Sequence, residues 1–399
     1  MGATTTRSGA ARRVSACICL VAAALLGVIG PATGSTRSSA SGTPATTWQQ
    51  WQHLVGVVDI GGPRSDGALV VAAQGRLFVL GPSGALTPFA RGSHGYSTTT
   101  GEPYLAVSSG QATQSGCRFA RDSVFAIEQG SPPTIVQVNS GGDASRFATL
   151  PAVDALAGIA FDTVGHFGHV LLVTASRGGH GILFGVDCRA QVATLTDMAP
   201  TVEGGIAVAP DSFGPYAGSL IAVGEGSGNV VQIGPDGRSG IVVASGVPAG
   251  ADIGVESVGF VPHGLTTSGG VLVADRGSQP QPHPGTDTIL RLTSQALRGA
   301  GAHEGDLLGV TEGGGITVDV ACAATCTVHA IASASNLAHI EGHVVATDIS
   351  AQGSGGGGGG PSLRVTIMVA GATLVAAVAL AVFARRKRSR RGRRARLGP

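Results

Sequence analysis

The chain has 399 residues, with 26 Lys and Arg against 24 Asp and Glu, and it is rich in glycine and poor in aromatics. The near balance conceals a segregation: Ser35 to Leu363 carries all 24 acids against 13 Arg and no Lys, so 13 − 24 gives −11. That charge excludes nucleic acid as a partner of the bulk of the chain and favours cations, while its length allows a substantial core.

Taken in chain order, residues 1–34 read as a secretory signal peptide. "MGATTTRSGAARR" carries three Arg and no acid, an apolar run from Val14 to Gly30 follows, and the segment closes on small residues. Cys17 and Cys19 leave with it. Residues 35–53, opening "STRSSASGTPATT", are expected to be a disordered spacer.

Residues 54–349 show almost no helical periodicity. Short runs of Val, Ile, Leu, Phe and Ala are cut every few residues by Gly, Pro, Asp and Ser, which predicts an all-β fold. The runs also repeat. "GRLFVLGPSGALTPF" (Gly75 to Phe89) matches "GNVVQIGPDGRSGIVV" (Gly228 to Val243), two strands around a Gly-Pro-x-Gly turn. "GSLIAVGEGSG" (Gly218 to Gly228) matches "GGVLVADRGS" (Gly269 to Ser278) and "GDLLGVTEGGG" (Gly305 to Gly315). Before such strands stand "GEPYLAV", "VEGGIAVAPD", "VESVGFVP" and "IEGHVVATD", which open on Glu102, Glu203, Glu256 and Glu341. Four strands in about 45–50 residues is the arithmetic of a propeller blade, and the strand-like runs amount to six blades of four. An open sandwich or a β-helix is the competing fold. The last strand is expected to complete the N-terminal blade, and Ser294 to Glu304 lacks the expected strands.

Residues 350–364 read as a Gly-rich tether. Val365 to Phe383 is an uncharged apolar run of 19 residues, long enough for one transmembrane helix, and the basic tail 384–399 marks the cytoplasmic side. The expected address is the cell membrane, single-pass, with the propeller outside. Cleavage of the C-terminal unit after export is the alternative, although no LPxTG-like motif precedes the span.

"GGVLVADRGS" with "TDTILRL" resembles the core of NHL-type repeats, and "EGGIAVAPDSFGPYAGSLIAVGE" resembles the inner strands of gluconolactonase and senescence-marker-protein propellers. The resemblance covers roughly residues 54–349 and implies a six-bladed β-propeller. It also implies a divalent cation held centrally on one face by a Glu, Asn side chains and an Asp, with Glu102 in the place of that Glu. Gly204 stands where those relatives would offer an Asn, and the ectodomain has only Asn139, Asn229 and Asn336. The departure counts against a lactonase centre.

Loops of an antiparallel blade alternate between its two faces. The entries to inner strands (Glu102, Glu203, Glu256, Glu341) therefore share a face with the turns after second strands, which carry Glu225, Asp275 and Glu312 as rim ligands. Clustered carboxylates suit calcium, or raise one another's pKa to make a general acid or base, or are only a solvated rim. Cys117, Cys188, Cys322 and Cys326 are an even set in an oxidising compartment and predict two disulfides on the other face. His166 and His169, His339 and His343, and "HEGD" from His303 read as ordinary loop residues. No Gly-x-Ser-x-Gly elbow, P-loop or His-Glu-x-x-His motif is present. The expected function is a non-enzymatic binding module for an extracellular ligand or protein, monomeric, with calcium as its possible ion. The alternative is a metal-dependent lactonase-like hydrolase.

Overall fold

A computed structural model describes residues 44–99, 102–250, 252–277 and 282–348. The expected signal peptide, tether, membrane span and basic tail lie outside the described residues. Among the described residues no helix is long and apolar enough to cross a membrane.

The described chain opens with β1 (Thr46–Thr47) and β2 (Gln49–His53). Four contiguous four-stranded sheets follow. Blade 1 holds β3 (Val57–Gly61), β4 (Leu69–Ala73), β5 (Arg76–Leu80) and β6 (Leu86–Phe89). Blade 2 holds β7 (Leu105–Val107), β8 (Val124–Glu128), β9 (Thr134–Val138) and β10 (Ala144–Thr149). Blade 3 holds β11 (Ala155–Phe161), β12 (Leu171–Arg177), β13 (His180–Val186) and β14 (Val192–Ala199). Blade 4 holds β15 (Glu203–Val208), β16 (Leu220–Gly224), β17 (Asn229–Ile233) and β18 (Ser239–Ala244). Second strands such as "LVVAA" and "LIAVG" are buried at every position, because both faces of a blade pack on its neighbours. The repeated Gly-Pro-x-Gly turns close as expected: Gly84 and Gly237 adopt positive φ and donate their N–H groups to Gly81 and Gly234 at 2.9 Å.

The remaining strands are β19 (Val255–Phe260), β20 (Gly270–Asp275), β21 (Thr288–Thr293), β22 (Leu307–Thr311), β23 (Thr317–Cys322), β24 (Cys326–Ser333) and β25 (Ile340–Thr347). They are interleaved. Inner strand β19 pairs with β22, and β23 and β24 follow to make blade 5. The intervening hairpin of β20 and β21 belongs to blade 6, whose inner strand is the last, β25. The chain thus leaves blade 5 for blade 6, returns, and leaves again. Helix α1 (Ser294–Gly299) makes the return, with the Thr293 hydroxyl accepting from Ala296 N at 3.1 Å and Leu297 buried. The strand-poor stretch of the sequence is this crossover and not an incomplete blade.

Two expectations are corrected. β25 completes blade 6 and not the N-terminal blade, whose own inner strand, "VVDIG", is β3. Residues 44–53 also belong to the fold rather than to a disordered spacer. β2 is the outermost strand of blade 6, β1 runs parallel to β24 on blade 5, and Trp48 is buried between them with its indole N–H on Thr317 Oγ1 at 2.7 Å. One aromatic anchor and a paired backbone order a segment whose other side chains are mostly polar.

The inner strands close in the order β3, β7, β11, β15, β19, β25, each lying against the next. Half-way along, the channel is shut. Fully buried Asp59 accepts from the backbone N–H groups of Leu105 at 2.6 Å and His343 at 2.7 Å, and it contacts His343 Nδ1 at 2.9 Å. His343 Nε2 donates to Ile159 O at 2.7 Å on the far side. Burial pulls the imidazole pKa down, but the Asp59 charge and these hydrogen bonds outweigh it and hold the value raised. Below this crossbar lies an apolar funnel of about 380 Å³, lined by Val107, Phe161, Val208 and Phe260 among others.

Candidate functional site

Above the crossbar the starts of the inner strands form an acidic well, and Tyr104 is its floor. Its ring stands edge-on to His343, with centroids 6.3 Å apart. Its hydroxyl donates to Glu341 Oε2 at 2.7 Å and lies 3.2 Å from Glu256 Oε1 and 3.4 Å from Glu102 Oε2. Glu203 joins through a second set, because Glu203, Glu225 and Glu256 each offer an oxygen within 4.8 Å of the other two. The four inner-strand glutamates, which come from blades 2, 4, 5 and 6, therefore converge.

Of the three rim residues, Glu225 and Glu312 enter the well and hydrogen-bond to each other. Asp275 does not. Its carboxylate accepts from the Thr286 hydroxyl at 2.5 Å and from His339 N at 2.9 Å, so it fixes the loop that presents His339. Correspondingly, His339 is no surface residue: it is 4% exposed, and its Nε2 lies 3.1 Å from Glu312 Oε1 and 3.2 Å from Glu341 Oε1. Arg276 completes the set, reaching Glu341 Oε1 at 3.1 Å and Glu102 at very short range.

Sequence reasoning missed Tyr104, Arg276 and His339 as site residues. A signal existed for two of them, since Tyr104 and His339 stand two positions from Glu102 and Glu341, and alternate residues of a strand face the same way. Nothing distinguished Arg276 from any other turn residue.

The well is compensated on one side only. Burial, the largest influence on Glu341, pushes its pKa up, yet His339, Arg276 and Tyr104 outweigh it and leave the carboxyl lowered. Among the described residues no cation pairs with Glu203, Glu225 or Glu256, and only His339 reaches Glu312. Burial, then the charges of neighbouring glutamates, raise Glu203 and push Glu256 well above the carboxylate range. Burial also raises Glu225, against hydrogen bonds from Glu312 and the Asp252 backbone, and pushes Glu312 up to about 9. Glu225 is 9% exposed, and its Oε1 accepts no hydrogen bond.

Gly204 lies against this uncompensated side. Its φ is +61°, and a Cβ there would stand 1.9 Å from Glu256 O, so the position has no room for any side chain. On the opposite face the four cysteines form Cys117–Cys188, which joins blades 2 and 3, and Cys322–Cys326, which closes the turn between β23 and β24. The remaining histidine motifs stay outside the well: His166 pairs with Asp211 at 3.1 Å, His169 with its own loop, and His303 with Asp306 at 3.5 Å.

No protein-family model and no curated protein matches the chain. Solved structures similar to it include a putative gluconolactonase, at 9% identity over 75% of this chain and 93% of that one, with a TM-score of 0.41. Catalytically inactive virginiamycin B lyase from Staphylococcus aureus with quinupristin is similar at 13% identity over 71% and 88%, with a TM-score of 0.38. The calcium-binding protein regucalcin from Agrobacterium tumefaciens is similar at 14% identity over 59% and 74%, with a TM-score of 0.32. The chain is, by its own six sheets, an all-β six-bladed propeller.

Proposed function

We infer that this protein is a membrane-anchored extracytoplasmic propeller that acts as a binding module. Its acidic well takes a hard divalent cation such as calcium through Glu203, Glu225 and Glu256. The observation that carries this reading is the Glu225 Oε1 atom, buried without a partner beside two more carboxylates that lack a protein cation. A buried, unsatisfied carboxylate oxygen is costly, and a calcium ion, which takes six to eight oxygens, removes that cost. The leader, apolar run and basic tail of the sequence support the anchored, outward-facing placement, with a ligand or protein outside the membrane as the partner of a monomer.

A lactonase-type hydrolase is the alternative. The closed space at Gly204 counts against it, because an Asn ligand does not fit there. Thermal unfolding of the purified full chain with and without calcium tests the reading. Saturation at 100 times Kd is worth about 2.7 kcal/mol, so the transition moves up by several degrees. Glu225→Gln abolishes the shift. An unchanged transition in millimolar calcium refutes cation binding, and turnover of a simple aldonolactone refutes the purely binding role.

A further inference from the structure

The well contains a second set of donors, and its chemistry differs from that of the first. Glu312, His339 and Glu341 each offer one atom within 4.8 Å of the others, and all three residues are buried. The His339 Nε2 distances of 3.1 and 3.2 Å are close to the separation of about 3.3 Å between two ligands of a tetrahedral ion bound at about 2.0–2.1 Å. We propose that the well is a two-ion centre, in which Glu312, His339 and Glu341 hold a transition-metal cation beside the oxygen-only position of Glu203, Glu225 and Glu256.

Three features support the second ion. The first is donor type: an imidazole nitrogen with two carboxylates suits zinc or manganese(II), whereas calcium takes oxygens. Three protein ligands also leave a coordination position for water. The second is an unmet bonding capacity at the junction of the two sets. The two sets meet at the Glu225–Glu312 hydrogen bond, and beside it Glu225 Oε1 is buried without a partner. The third is charge. Glu102, Glu203, Glu225, Glu256, Glu312 and Glu341 against Arg276 leave 6 − 1 = 5 negative charges when ionised. One divalent ion leaves three uncompensated and two leave one. Asp275 acts here as a positioning residue, since its bond to His339 N sets the loop from which the imidazole enters.

The inference rests on the cation-binding reading of the well, and one experiment separates the two. The chelator-stripped full chain is dialysed at pH 7.5 against calcium, manganese(II) or zinc, and bound metal per chain is measured. Two manganese ions per chain are expected, with a spin-coupled electron paramagnetic resonance signal, but one calcium. His339→Gln should lower the manganese count to one, weaken zinc binding by about 100-fold or more, and leave calcium unchanged. His339→Cys, which keeps a metal ligand, should restore zinc. If the wild type binds one calcium but never more than one transition metal, or if His339→Gln still binds two, the second ion is refuted and the calcium reading stands. Binding of no metal at all refutes both. Circular dichroism of each variant shows that the fold persists, and Glu312→Gln serves as the second ligand variant.

Discussion

The two ends of the central channel are built by the same six inner strands and have opposite chemistry. At the strand starts, six carboxylates crowd around a tyrosine with one arginine among them. At the strand ends, valines and phenylalanines line a funnel of about 380 Å³. The Asp59–His343–Ile159 crossbar keeps them apart. A ring of strands fixes directions but not contents, so each end takes its chemistry from the few side chains that the strand termini and the turns beside them supply.

Gly204→Ala should break the comparison most severely. A Cβ 1.9 Å from Glu256 O at φ +61° forces backbone movement in blades 4 and 5, and a loss of about 4 kcal/mol or more is expected in denaturant unfolding. His343→Leu removes the crossbar and leaves Asp59 buried without its ionic partner, at a cost of about 3–5 kcal/mol by the same measurement.

The pH response of the metal-free protein separates the ends more gently. Glu312 has a folded-state value of about 9 against an ordinary 4.5, so between these pH values the folded state holds a proton that the unfolded state releases. Stability should therefore fall as pH rises through that window. Glu312→Gln should raise the unfolding temperature at pH 8 by about 2–5 °C and leave it unchanged near pH 4. The smallest effect is expected at the funnel, where Val107→Ile extends into open space and should change stability by no more than about 1 kcal/mol.

Most of blades 1–4 was legible in the sequence, because each consists of consecutive hairpins whose turns and buried runs carry their own local signals. That Glu102, Glu203, Glu256 and Glu341 share one face followed from the repeat alone, but that they meet around Tyr104 did not. The pairing of blades 5 and 6 was not legible: "GGVLVADRGS" has the same local pattern whether its inner partner is β19 or β25. What decides is the crossover at α1, a tertiary choice that no strand signal records. Arg276 was missed for a related reason, since its role comes from Glu102 and Glu341, which other strands bring to it.

The interleaving also sets an order of assembly. Thr46 pairs with Ala332 and Gln49 with Arg291, separations of 332 − 46 = 286 and 291 − 49 = 242 residues. Contacts of such span form late, because the intervening chain must first be organised. Blades 1–4 can therefore condense as the chain emerges, whereas blades 5 and 6 wait for β25 and for the return of the first strands. The step that closes the ring also brings Glu341 and His339 to the well, so the acidic centre is the last part of the molecule to exist.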